Sequence, residues 1–208
     1  MFLKPNFSYD KKTGAGEIEY TNYFLTDEFN DNAESAVAGF KILPSSFNWD
    51  YSMDGGGKLK DNIAYRGSTN SDGGHILAGA DGYYTITLNT ANNTATMVKY
   101  EGNVTNYGTI QIAGSFNEWA DTPMLPYNTE GVENHAWYYV MEVPAGETAQ
   151  FKFKIAGSWD TSWGYGKADG DINMFGKCEA GGKNLGLAEG KYVISFNDIT
   201  GAFSIVKL

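Results

Sequence analysis

Cysteine is almost missing from this chain: Cys178 stands alone. No intramolecular disulfide can frame the fold, and one thiol with two histidines, His75 and His135, falls short of an ordinary structural zinc site. Cys178 reads as an inert strand or loop residue, and no cofactor or metal is expected. Positive charge is outnumbered, with 15 Lys and Arg against 25 Asp and Glu and a net charge of −10. Such a surface repels phosphate backbones and anionic lipid heads, which excludes nucleic acid as an expected partner. Long hydrophobic runs are also absent. No stretch approaches the roughly 18 apolar residues of a membrane span. Met1-Phe2-Leu3-Lys4-Pro5 lacks the basic-then-apolar pattern of an export signal, so an exported form would already have lost one. No Gly-x-Ser-x-Gly elbow, phosphate loop or zinc motif occurs, and nothing marks two of the acidic residues as a glycosidase pair. Asp169-Gly170-Asp171-Ile172-Asn173 opens like a calcium loop, but Gly176 falls two positions late and Ala180 stands where the closing Glu belongs. That run reads as a solvated turn.

What the chain has is glycine and aromatics: 26 Gly against five Pro, with five Trp, 14 Tyr and 12 Phe. Glycine supplies the positive-φ positions of tight turns and aromatics favour strands, so many short strands are expected. No apolar stripe is sustained at helical spacing over three turns. A repeat organises the chain. Gly82-Tyr83-Tyr84-Thr85-Ile86-Thr87-Leu88-Asn89 is echoed by Gly190-Lys191-Tyr192-Val193-Ile194-Ser195-Phe196-Asn197, 108 positions later. The match continues from Thr96-Met97-Val98 to Ser204-Ile205-Val206 without a gap. Tyr84, Ile86 and Leu88 alternate with Thr85 and Thr87, the period of a half-buried strand, so each repeat closes on a β-hairpin. Upstream, Phe40-Lys41-Ile42 followed by Trp49 is echoed by Phe151-Lys152-Phe153 followed by Trp159.

The expected fold is therefore all-β, with two tandem immunoglobulin-like β-sandwich domains over residues 1–102 and 103–208. Their joint falls in the turn-rich stretch Glu101 to Gly108. The second repeat opens with Thr109-Ile110-Gln111-Ile112-Ala113-Gly114. In the first, Met1 to Pro5 matches Met124 to Tyr127 instead, so its opening strand is expected to be missing.

The second repeat carries Gly114-Ser115-Phe116-Asn117-Glu118-Trp119, and some 30 residues later Gln150-Phe151-Lys152-Phe153-Lys154-Ile155-Ala156-Gly157-Ser158-Trp159. These two motifs resemble those of the glycogen- and starch-binding carbohydrate-binding modules. The resemblance implies that Trp119 and Trp159 form a stacking platform for glucose rings and that Lys152 donates to sugar hydroxyls. The chemistry is consistent: the C–H face of a pyranose lies on an indole while its equatorial hydroxyls stay open to donors. Lys152 alternates with Phe151 and Phe153 and so points to the opposite sheet face from two core candidates. The bland alternative is that both tryptophans are core residues.

Trp163, in the glycine-rich run Trp159 to Gly166, extends the platform or anchors the core. Asn184 either donates to sugar or forms a turn, whereas Trp137 alternates with Tyr139 and Met141 as a core face. In the first repeat only Lys41 and Trp49, with Tyr51, Tyr65 or Arg66, are available, so its site is expected to be weaker or absent.

Along nearly its whole length the chain resembles the SusE/SusF-type outer-membrane starch-binding lipoproteins, the first repeat departing by its lack of the Gly-Ser-Phe-Asn-x-Trp opening. That resemblance implies surface display on a Gram-negative cell and an α-glucan polysaccharide or maltooligosaccharide as ligand. It also implies outer-membrane glycan-uptake proteins as partners, no catalysis, and a monomer. A glycan-degrading enzyme or its accessory domain, and a protein-interaction module, remain the alternatives.

Overall fold

A computed structural model describes residues 4–5, 16–24, 53–54, 63–66, 82–92, 94–127 and 133–208. The chain divides into two compact units, one of Pro5–Gly102 and one of Asn103–Leu208 with Met1–Lys4. The architecture is all-β and built from antiparallel strands. Among the described residues no helix is long and apolar enough to cross a membrane.

Six strands form the first sheet, which carries the first unit: β1 (Lys4–Pro5), β2 (Glu17–Phe24), β3 (Met53–Asp54), β4 (Ile63–Arg66), β5 (Gly82–Asn89) and β6 (Thr94–Lys99). Their order is β1-β2-β5-β6-β4-β3. Tyr84, Ile86 and Leu88 of β5 bury one face with Tyr20, Ala95 and Met97, as the alternation predicts. The sequence reading passed over β2, whose Glu-Ile-Glu-Tyr-Thr-Asn-Tyr-Phe run pairs with β5 from Glu17↔Asn89 to Phe24↔Gly82. The strand β1 lies beside β2.

The second unit holds β7 (Ile110–Gly114), β8 (Thr122–Pro123), β9 (Leu125–Pro126), β10 (Ala136–Ile155), β11 (Ser162–Gly164), β12 (Phe175–Lys177), β13 (Glu179–Ala180), β14 (Leu185–Asn197) and β15 (Ala202–Lys207). They follow the order β12-β15-β14-β10-β11-β13, with β7 and β9 also on β10 and β8 on β7. The closing hairpins of the two units share one register: Tyr84↔Lys99 in the first matches Tyr192↔Lys207 in the second. Each turn is tied by an asparagine 108 positions from its counterpart. Asn89 Oδ1 accepts from the backbone N–H of Ala91 and Asn92, and Asn197 Oδ1 accepts from that of Thr200.

The segments Trp137–Met141 and Gln150–Ile155, read from sequence as separate strands, belong to one 20-residue strand paired with β14. The register shifts between Val143 and Thr148, and there the ribbon folds over. Trp137 pairs with Phe196, and Phe153 lies sixteen residues further on, about 53 Å away in a straight strand. Yet the rings of Phe153 and Phe196 stack with centroids 4.2 Å apart. The two halves of the β10·β14 ribbon are thus the two layers of a sandwich. Ile110, Ile112, Met124, Trp137, Met141, Phe151, Leu185, Ile194, Phe203 and their neighbours fill the space between them.

Candidate functional site

The Gly-Ser-Phe-Asn-x-Trp motif builds the loop that follows β7. A Cβ on Gly114 would overlap the Gln150 carbonyl oxygen, so only glycine lets the two backbones approach this closely. The Ser115 hydroxyl accepts from the Gln150 N–H at 3.0 Å, fastening the loop to β10. Phe116 packs on Tyr139 with centroids 5.7 Å apart. Asn117 is the hub. Its Oδ1 accepts from Gly114 N–H at 2.9 Å, and its Nδ2 donates to the Ala120 carbonyl and the Thr122 hydroxyl, both at 2.7 Å. Glu118 and Trp119 then both adopt left-handed backbone, φ 56° and 62°, the non-glycine residues that do so among those described. Each costs about 1–2 kcal/mol and persists because the surrounding bonds fix the loop.

Trp159 sits on the hairpin between β10 and β11, beyond Gly157 with its φ of 70°. The two indoles meet with centroids 6.0 Å apart and planes tilted by 58°. Both stay open to water, Trp119 at 37% and Trp159 at 46%.

Along β10, Phe151 and Phe153 face the core, and Gln150, Lys152 and Lys154 take the other side. The half-buried Lys152 makes no ion pair among the described residues. Lys154, which the sequence reading did not single out, is 2% exposed; it donates to Asp121 and lies 4.9 Å from the centroid of Trp159. The opposite Oδ of Asp121 accepts from Gly157 N–H at 2.6 Å. That backbone donor first, and then the Lys154 ammonium, hold the Asp121 carboxyl below the usual carboxylate range. At the far end of the strip, Asn184 Nδ2 donates to Gln150 Oε1 at 3.1 Å, while its backbone N–H donates to Asp169 Oδ1. From Gln150 to Lys154 the face spans about 13 Å.

The structure does not bring Trp163 to this face. It pairs with Phe153 on the inward side and meets Phe196 at 5.4 Å and Tyr107 at 5.3 Å, so it anchors the core and does not extend the platform. Lys41, Trp49 and Tyr51 lie outside the described residues. Tyr65 and Arg66 are placed on β4, with their side chains outside the description. Trp137 is buried, as its alternation predicts, and its Nε1 donates to Asp198 Oδ2. Asp171, in the run read as a turn, accepts from the backbone of Lys167 and Ala168. Lys154 and Asp121 escaped notice because the Phe-Lys-Phe-Lys alternation puts both lysines on one face. Sequence alone gives no sign of which lysine the loops cover.

No protein-family model matches the chain, and no curated protein matches it in sequence. Among solved structures, the chain is similar to SusF from Bacteroides thetaiotaomicron, with a TM-score of 0.37 and 16% identity. The match covers 99% of this chain and 44% of that one, so the chain spans less than half the length of that protein.

Proposed function

We propose that the second unit binds a polysaccharide without catalysis, by stacking sugar rings on Trp119 and Trp159. The observation that carries this is a pair of indoles held in contact on strained and hairpin loops, yet left 37% and 46% open to water. Two large apolar rings gain by burial, and a fold that keeps both exposed forgoes that gain unless something else covers them. Lys152, on the same face of β10 as Lys154, supplies a donor, and Asn184 a second polar group at the end of the strip.

The tilt of 58° favours an α-linked glucan. Successive rings of such a chain turn relative to one another and meet a bent platform, whereas a flat β-linked chain suits coplanar rings. The resemblance of the two tryptophan motifs to starch-binding modules points to the same ligand, and display at the outer membrane beside uptake proteins follows from that resemblance. Affinity electrophoresis through amylopectin tests the reading. The chain is retarded, and Trp159→Ala abolishes the retardation, a loss of at least about tenfold in affinity. Equal mobility of the two with and without amylopectin contradicts it.

A further inference from the structure

We propose that the Lys154–Asp121 ion pair is the positioning device of this site: it sets the separation and tilt of Trp119 and Trp159, and through them affinity for glucan, without touching the sugar. The inference rests on the platform reading above. An ammonium buried to this degree is tolerated only when it is paired and hydrogen-bonded, and its place on an outward sheet face is unusual. The row that it occupies is polar and sealed: Gln111 and Ser162, its neighbours on β7 and β11, are buried too. Over Lys154 lie Asp121 and Trp159, from the two loops carrying the tryptophans.

Asp121 joins three segments at one point. It follows Trp119 by two residues, accepts from the backbone of Gly157, two residues before Trp159, and takes the Lys154 ammonium from the strand beneath. Lys154 in turn touches the Trp159 ring. The separation of the indoles is thus fixed by one carboxylate and one ammonium. The two lysines divide the labour. Lys154, at 2% exposure, has no surface for a sugar hydroxyl, while Lys152 is left to meet ligand.

The test uses the full chain and two readouts: calorimetry with maltoheptaose, and, without ligand, the exciton couplet that two indoles in contact give in circular dichroism. Lys154→Met is expected to fold, because Asp121 is 35% exposed and takes up water in place of the ammonium. It loses the couplet and binds about tenfold more weakly. Lys154→Arg restores most of both. Lys152→Met weakens binding and leaves the couplet intact, which a general disturbance of the sheet would not do. Should Lys154→Met fail to fold, Asp121→Asn is read in its place by the same two measures. Wild-type couplet and affinity in Lys154→Met, beside lost binding in Trp159→Ala, overturn the positioning role and leave the platform standing. If the wild-type chain binds no glucan, the platform reading falls, and the couplet alone decides: its loss in Lys154→Met supports the clamp, its persistence overturns it.

Discussion

At the scale of single residues, the loop after β7 shows how much of a six-residue motif is scaffolding. In Gly-Ser-Phe-Asn-x-Trp the last residue, Trp119, is the large apolar side chain left exposed. Glycine permits the approach to Gln150, serine and asparagine fix the backbone, and phenylalanine enters the core edge. The unnamed position shares the backbone strain with Trp119. Glu118 at φ 56° has a Cβ where glycine would have none, so Glu118→Gly is expected to stabilise the second unit by about 1 kcal/mol in urea unfolding. A destabilisation of similar size would mean that the Glu118 side chain holds the loop and that its backbone is not strained. Trp119 and Trp159 were legible because each ends a motif flanked by glycine. Trp163 was not, because inward and outward positions of a three-residue strand look alike in sequence, and the partner that decides, Phe196, is 33 residues away.

At the scale of elements, the closing hairpins were readable in full, since alternation, an asparagine turn and the offset of 108 all agreed. The bend of β10 was not, because Pro144 to Glu147 reads as an ordinary turn between two strands while pairing with β14 continues on both sides. One staple holds the start of β10 to the turn between β14 and β15. His135 Nδ1 lies 2.7 Å from Asp198 Oδ1, its Nε2 lies 3.3 Å from Glu133 Oε1, and Trp137 donates to the same aspartate. Burial draws the imidazole pKa down, but the two carboxylates outweigh it and the net shift is upward. Burial also pushes Asp198 up, against the donors from His135 and Trp137. With a carboxylate oxygen at each ring nitrogen, only the imidazolium donates to both, so the raised histidine governs the pair. The sign follows by linkage: this stability is fully present below the ordinary histidine value of about 6.5 and is lost as pH rises through the higher folded value. Thermal unfolding across that range is expected to show Tm falling with pH in the native chain and a flatter profile in His135→Gln; identical slopes contradict the staple.

At the scale of the molecule, two units carry one repeat, and the exposed pair Trp119 and Trp159 belongs to the second. The first unit presents the same closing hairpin and a sheet in which β1 and β2 flank β5 on one side. Its sequence has no Gly-Ser-Phe-Asn-x-Trp run. The all-β class was legible because glycine, aromatics and two-residue periodicity all point one way. The candidate site was legible only in part: the two exposed tryptophans lie in glycine-flanked turns, while the ion pair beside them depends on which residues the fold brings against Lys154. The central claim is that the two tilted indoles are a surface for α-linked glucose. Isothermal titration of the whole chain with maltoheptaose, against a β-linked glucose oligomer of equal length, tests it most directly. Saturable heat with the α-linked ligand, little with the β-linked one, and none with either in Trp119→Ala/Trp159→Ala is the predicted result; undiminished maltoheptaose binding in that double variant, or none in the native chain, would contradict it.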